Sequence, residues 1–483
     1  MEIERFERIK KTTAIHLAME AKETLKKITD DFPDNPDAMG YFYELFHNLY
    51  CNEASSGRDA AGYAASRHDR ETQASLPQRQ GTPRRERLQG QALQDTHDPR
   101  PSRLQPLGTG MPESCKPGTK KIIGTMCLQV PDELICAAGA ISLRLCGGAY
   151  TYDQRGAEFM PAKSCPLMKA TMGTLHTNQA LFTDLLSAIV IPTTCDQKKK
   201  SVDMLQDMGF TIFPLEMPSV KDTEEARDYW QNSVKKFVLW LEQITGNRIT
   251  RKSLYDSILK INRSRAEFRR FYNLRKSAPS VIYGKDAFLV ANAYFFDDKE
   301  QWTDALKRLN NELEDRVSGG ISVVNKHAPR ILFTGSPAIF PNFKLPLIIE
   351  MSGGVVVTDE VCSSSRLLYD SVIFDEANLY DMIPAVADRY LKPCTCPCFV
   401  KNEDRKRKLL DMAKGFGIDG VVYQAFSGCY LYEMEHKGIG GALETAGIPV
   451  LYIETDYSPE DTGQLTTRVE AFIESIKVRK RRS

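Results

Sequence analysis

No Cys-x2-Cys pair occurs in this 483-residue chain, although it carries twelve cysteines. Structural zinc is usually gripped by such pairs, so the sequence argues against a zinc-finger or zinc-ribbon module. No stretch approaches the ~18 consecutive apolar residues of a membrane helix. The first residues, "MEIERFERIKKTT", lack the apolar core of a signal peptide. The expected location is therefore the cytoplasm, which keeps thiols reduced, and the cysteines are expected to be buried hydrophobes or ligands rather than disulfides. No P-loop GxxxxGK[ST] is present, since "GGISVVNK" and "GIGGALET" break the pattern, so no ATP site is expected in this chain. The formal net charge of +1 gives no global pull toward nucleic acid or membrane. The short basic end "KVRKRRS" reads as a solvated terminus.

Between Cys51 and Leu104 there is no lysine, isoleucine, valine or phenylalanine, while arginine recurs from Arg58 to Arg103. Such a segment has too little apolar surface to bury. Residues 51–118 are expected to be a disordered stretch or a foreign insertion.

The remaining chain divides by its hydrophobic rhythm. Residues 12–31 and 40–50 carry helical periodicity and form an N-terminal segment, 1–50. Residues 119–220 alternate strand and helix, with "KIIGTMC", Ala188–Ile191 and "TIFPLEM" as strands. Pro131 with Asp132 and Glu133 suits the first turn of a helix. Residues 221–329 carry long amphipathic runs such as "EEARDYWQNSVKKFVLWLEQI". Residues 330–483 resume the α/β rhythm with "RILFTGSP", "GGVVVTDE", "IDGVVYQAF" and "IPVLYIETD". This predicts two parallel-sheet α/β lobes with helical material between them.

Open parallel sheets bind ligands beyond the carboxyl ends of their strands. Cys127, Cys195, Cys362 and Cys429 each follow a predicted strand, and Cys165 precedes a predicted helix. A free cysteine is often just a small hydrophobe, but four at one structural station point to ligation. The "TTCDQ" context would put Cys195 near a helix N-terminus, which favours a thiolate. Nucleophilic catalysis would need a neighbouring base, and only His176 and His436 lie near these motifs. The run "CTCPC" adds Cys394, Cys396 and Cys398. In an extended strand, alternate residues lie ~6.5–7 Å apart on one face, too far for one zinc ion with ~2.3 Å bonds and better suited to the irons of a cluster. Cys394 and Cys398 are the favoured pair, with Cys396 able to replace either.

These stretches together resemble the iron–sulfur family of 2-hydroxyacyl-CoA dehydratase and benzoyl-CoA reductase subunits. The resemblance rests on "VPDELICAAGAISLRL", "CPLMK", "PTTCD", "VVVTDEVCSSSR", "YLKPCTCPC", "DGVVYQAFSGCYLYEMEHK" and "GIPVLYIETDYSPEDTGQLTTRVEAFIE". It implies two flavodoxin-like lobes facing each other across a cluster site, and a [4Fe-4S] cluster held at Cys165, Cys195 and Cys429. The additional thiols Cys127, Cys362, Cys394 and Cys398 resemble the subgroup of double-cubane reductases, in which two cubanes joined by sulfide form an [8Fe-9S] unit. The resemblance further implies low-potential electrons from a separate ATP-hydrolysing [4Fe-4S] activator, a small-molecule substrate and a homodimer. Glu433, Glu435 and His436 are candidate proton donors at helical spacing after Cys429, with Glu433 and His436 preferred. Gln464 and Arg468 match the family's "GQ…TR". Two other readings stay open: a single-cluster subunit of a CoA-ester dehydratase or reductase, and a non-catalytic cluster carrier.

Overall fold

Short apolar runs rich in valine and isoleucine form the centre of each lobe. The computed structural model describes residues 2–51, 120–177 and 183–482. Strands β1 (Ile122–Thr125), β2 (Ile141–Arg144), β3 (Leu186–Pro192) and β4 (Ile212–Leu215) form one sheet in the order β2-β1-β3-β4. Strands β5 (Arg330–Gly335), β6 (Val355–Glu360), β7 (Gly420–Phe426) and β8 (Val450–Thr455) form a second, in the order β6-β5-β7-β8. Every pairing is parallel. The two lobes share one topology, with the winding direction reversing at the first strand of each. That reversal opens a crevice at the carboxyl edge of each sheet. β6 and β7 are buried at every position, as expected where helices cover both faces of a parallel sheet.

Four helices, Glu224–Thr245, Arg251–Leu274, Gly284–Ala293 and Lys299–Gly319, connect the lobes. Local chemistry marks their ends. The Thr223 side chain accepts the N–H of Ala226, Thr250 forms a capping box with Ser253, and the Asp298 carboxylate accepts from the N–H groups of Glu300 and Gln301. Each cap satisfies amides that the helix itself leaves unpaired. The N-terminal helices Glu2–Asp30 and Gly40–Tyr50 close the particle on one side. Glu20 takes the N–H groups of Tyr150 and Thr151 in the first lobe, and Phe46 packs 4.6 Å from Phe340 in the second.

A buried polar triad joins the lobes through the connecting helices. Arg265 donates to Glu133 of the first lobe at 2.5 Å and to the Tyr390 hydroxyl of the second at 3.0 Å, and that hydroxyl donates to Glu133 at 2.8 Å. Asp132 and Glu133 do open a short helix, Asp132–Ala137, yet both are buried, and Glu133 serves this junction.

Of the segment 51–118, only Cys51 belongs to the described residues, where it is buried at the end of helix Gly40–Tyr50. The expectation of disorder or insertion there lies outside the described residues. Among those described, no helix is long and apolar enough to cross a membrane.

Candidate functional site

The two sheets turn their carboxyl edges toward one another, and the thiols collect there. Cys127 follows β1, Cys146 follows β2, Cys195 follows β3, Cys362 follows β6 and Cys429 follows β7. Cys127 adopts φ +70°, in the left-handed region that costs a residue with a Cβ roughly 1 kcal/mol or more. The fold holds it there, with its thiol donating to Gln129 Oε1 at 2.7 Å.

Three of the thiols belong to N-cap residues. Cys165 precedes helix Pro166–His176, Cys195 precedes Asp196–Asp207 and Cys429 precedes Tyr430–Thr445, and none spends its side chain on capping. Three positive helix ends therefore face the region where these sulfurs lie, an arrangement that favours bound negative charge. Cys429 donates its S–H to Cys165 across the lobe boundary, and this bond holds the Cys165 thiol below its usual range despite burial. The Cys429 thiol is raised well above its ordinary value by the same bond and by burial. Gln197 fixes the loops, accepting the Cys165 N–H at 3.0 Å and donating to the Gly428 carbonyl at 3.1 Å. Gly428 sits at φ +79°, and a Cβ there would lie 2.1 Å from the Lys163 carbonyl oxygen. Only glycine lets the two cysteine loops approach this closely.

The "CTCPC" run has no regular secondary structure, with a turn at Pro397–Cys398. Pro393 before it and Pro397 within it fix φ and withhold amide donors. Cys398 donates to Cys396, and the Cys396 thiol falls to about 6 through that bond, with the nearby Arg366 guanidinium helping. Cys398 rises well above its ordinary value for the reciprocal reason. Burial pushes Cys394 up to about 12, and Gln129 donates to its sulfur at 3.3 Å, crossing from one lobe to the other. Burial also raises Cys362, Cys195 and Cys146. Cys396 lies within electrostatic range of Cys362, Cys394, Cys429, Lys198 and Arg366.

Lys198 and Arg366 stand among the sulfurs. Burial alone would discharge Lys198, but Cys127 and Cys195 outweigh it and hold the ammonium above its ordinary range, while its Nζ donates to Thr194 at 3.1 Å. Arg366 is tied to Glu360 and donates to the Tyr432 hydroxyl at 2.8 Å. Burial would raise Glu360, but Arg366 and Arg405 keep it well below the usual carboxylate range. Thr395 of the cysteine run donates to the same carboxylate at 2.6 Å.

The candidate proton donors have other partners. Glu433 accepts the Gly428 N–H at 2.6 Å, and Glu435 pairs with Arg405 and accepts from Asn402 at 2.8 Å. The His436 ring stacks on Tyr452 at 3.9 Å, with Nδ1 2.5 Å from the Glu433 carbonyl. Arg468 donates to the Tyr452 carbonyl at 2.7 Å, fastening the last helix to β8, and Gln464 is exposed. His176 packs on Phe159.

Cys146, Lys198, Gln129 and Gln197 did not stand out in the sequence. The strand-end rule would have found Cys146 had "ISLR" been read as a strand. Among the described residues, no three or more Cys, His, Asp or Glu side chains are spaced to hold a single metal ion. The thiols instead form a wider set of soft donors flanked by cations. That chemistry suits a polynuclear iron–sulfur unit better than one ion.

Comparison with known proteins agrees with this architecture. The putative dehydratase subunit YjiM of Escherichia coli strain K12 is 31% identical over 358 residues, covering 74% of this chain and 91% of the relative. The (R)-phenyllactyl-CoA dehydratase beta subunit of Clostridium sporogenes is 26% identical, covering 74% and 92%. A benzoyl-CoA reductase subunit from Thauera aromatica is 24% identical, with the same two shares. The family model for the D-component of 2-hydroxyglutaryl-CoA dehydratase matches residues 127–476, a span that begins at the first of the converging thiols and takes in both lobes. The chain belongs to this 2-hydroxyglutaryl-CoA dehydratase D-component family.

Proposed function

We propose that this chain is an anaerobic iron–sulfur reductase that takes low-potential electrons from a separate ATP-hydrolysing [4Fe-4S] activator and delivers them to a small molecule at an [8Fe-9S] double cubane. It works in the cytoplasm as a homodimer. The family's dehydratase and reductase subunits support an enzymatic role. The observation that carries the finer reading is the surplus of sulfur. Nine of the eleven described cysteines, all but Cys51 and Cys136, gather where the lobes meet, whereas a single cubane needs at most four.

Cys165, Cys195 and Cys429 would hold one cubane. Cys127, Cys362 and the Cys394–Cys398 run, with Cys396 beside or in place of its neighbours, would hold the second. Such a centre supplies electron storage at low potential. The protein contributes the rest. Lys198 and Arg366 offset the charge of the thiolates, Gln129 and Gln197 hold loops of opposite lobes in register, and burial keeps water from the sulfurs. Proton supply falls to Glu433, whose carboxylate lies against the Gly428 N–H beside Cys429, with His436 one turn further along.

A second reading, favoured by the names of the relatives, is a one-cluster subunit of a CoA-ester dehydratase or reductase working beside a non-identical partner. Iron and sulfide analysis of anaerobically purified protein separates the two. About eight irons per chain supports the double cubane, and about four supports the single cluster. Substrate-dependent oxidation in the presence of activator and ATP separates either enzyme from a carrier.

A further inference from the structure

We propose that the cavity walled by Cys146 and Arg144 is the substrate chamber of this reductase, and that it accepts a small carboxylate or oxyanion of a few non-hydrogen atoms. The proposal rests on the reductase reading for its catalytic meaning and adds the substrate class and the residue that recognises it.

The cavity measures about 50 Å³ and lies between the end of β2, helix Pro166–His176 and the N-terminal helix Gly40–Tyr50. One water needs roughly 10–15 Å³ of such space, so the chamber holds the equivalent of a few waters. Formate or acetate fits, and an acyl-CoA thioester does not. Leu145, Leu175, Phe296 and Phe340 make most of its surface apolar.

Of the polar side chains in its wall, two bear on recognition. Arg144 is 6% exposed. The other buried arginines have conspicuous partners: Arg265 pairs with Glu133, Arg275 with Asp359, Arg366 and Arg405 with Glu360, and Arg389 donates to the carbonyls of Asp370 and Leu367. Among the described residues, the Arg144 guanidinium has neither a carboxylate at ion-pair distance nor a hydrogen-bond acceptor, and its nearest aromatic ring, Phe295, is centred 5.9 Å away. A buried charge without a partner is costly, and an anion in an apolar chamber would offset that cost strongly because little solvent screens the pair. The second group is Thr174 Oγ1, which is buried without a hydrogen-bond partner. A guanidinium and a hydroxyl on one apolar chamber match an anion with at least two oxygens.

The chamber also reaches the thiols. Cys146 lies in its wall, and its sulfur accepts the backbone N–H of Cys127. An occupant would sit beside the metal-binding region without passing through the body of either lobe.

The test uses full-length, iron-loaded protein under anaerobic conditions, with carbon-13 formate as the probe. Saturable line broadening of the formate signal is expected, competed by acetate and not by benzoate or coenzyme A. Arg144→Gln should weaken binding at least tenfold, Arg144→Lys should restore part of it, and Thr174→Val, close in shape, should weaken it severalfold. Formate should also perturb the electron paramagnetic resonance of the reduced protein, and Arg144→Gln should abolish that change at unaltered iron content. Formate binding undiminished in both Arg144→Gln and Thr174→Val, or equal competition by benzoate, would overturn the chamber. Binding that saturates while the resonance stays unperturbed would overturn its role as the substrate site. Protein that holds no iron yet binds formate through Arg144 would leave the anion chamber standing and defeat only the reductase reading.

Discussion

Cys165 and Cys429 come from opposite lobes and share a hydrogen bond, Cys429 donating. With Cys195 they are the N-cap residues of three helices. The proposed cluster, shared between the lobes, would account for that meeting. Cys165→Ala, Cys195→Ala and Cys429→Ala should each lower iron content by roughly half, if one of two cubanes is lost. Far-ultraviolet circular dichroism should be unchanged, because sulfur-to-hydrogen truncation at a loop end removes little buried area. Cys136→Ala, outside the thiol group, serves as the control and should leave iron intact. Full iron in Cys195→Ala would take that residue out of the ligand set.

Every strand but β2 was legible as a short apolar run, the valines of β6 being the plainest, and the long connecting helices were legible from their amphipathic spacing. Their caps at Thr223 and Thr250 came only with the structure. The cysteine positions after β1, β3, β6 and β7 followed from topology alone. Cys146 was hidden because β2 is short and half-exposed, so "ISLR" lacks the apolar run that marks a buried strand. Lys198 was hidden within a run of three lysines, of which Lys199 and Lys200 are exposed. Only the fold shows that one of them turns toward sulfur. The choice of Cys394 and Cys398 within "CTCPC" rested on spacing, which does not show that Cys398 donates to Cys396. Glu133 read as a helix-start carboxylate, since its partners Arg265 and Tyr390 are distant in sequence.

That last contact makes Glu133 a test of how the lobes are held. Glu133 and Arg265 are both buried, and their charges pair with each other. Removing one partner from such a pair costs about 3–5 kcal/mol because the other charge is left uncompensated. Glu133→Gln should therefore lower the denaturation midpoint strongly. Replacing both residues by apolar groups, Glu133→Leu with Arg265→Met, should recover much of the loss. Urea unfolding of the three variants is the measurement, and equal losses in the single and double variants would contradict the pairing.

Glu350 gives the protein a pH-sensitive element away from the thiols. It accepts the N–H groups of Gly284 and Val356 at 2.6 and 3.2 Å and of Lys285 at 3.2 Å. Burial outweighs these donors and the Lys285 ammonium, and raises its carboxyl from 4.5 to about 7. The folded state thus holds this proton more tightly than the unfolded chain. Its contribution to stability is fully present below about pH 4.5 and is lost as pH rises through about 7, on the order of 3 kcal/mol in total. Glu350→Gln cannot titrate. The stability of the wild type relative to this variant should fall between pH 4.5 and 7 and level off above, as read by chemical denaturation across that range. A difference that is flat in pH would show that Glu350 does not carry the effect.

Lys198 tests whether the cations among the sulfurs act on the electrons. Its ammonium is half-buried, hydrogen-bonded to Cys127 and Thr194, and in electrostatic range of Cys195 and Cys396. Adding an electron to a thiolate-held centre adds negative charge, and a cation at this range stabilises the reduced form more than the oxidised one. Lys198→Met keeps most of the side-chain volume and removes the charge. The reduction potential should move negative by at least about 60 mV, the one-electron equivalent of a tenfold change in equilibrium constant. Lys198→Arg should stay near the wild-type value. Redox titration followed by electron paramagnetic resonance reads the shift, and iron analysis of the same samples shows whether the centre itself survives. An unchanged potential at full iron content would reduce Lys198 to a packing residue, while loss of iron would make it a requirement for assembly instead.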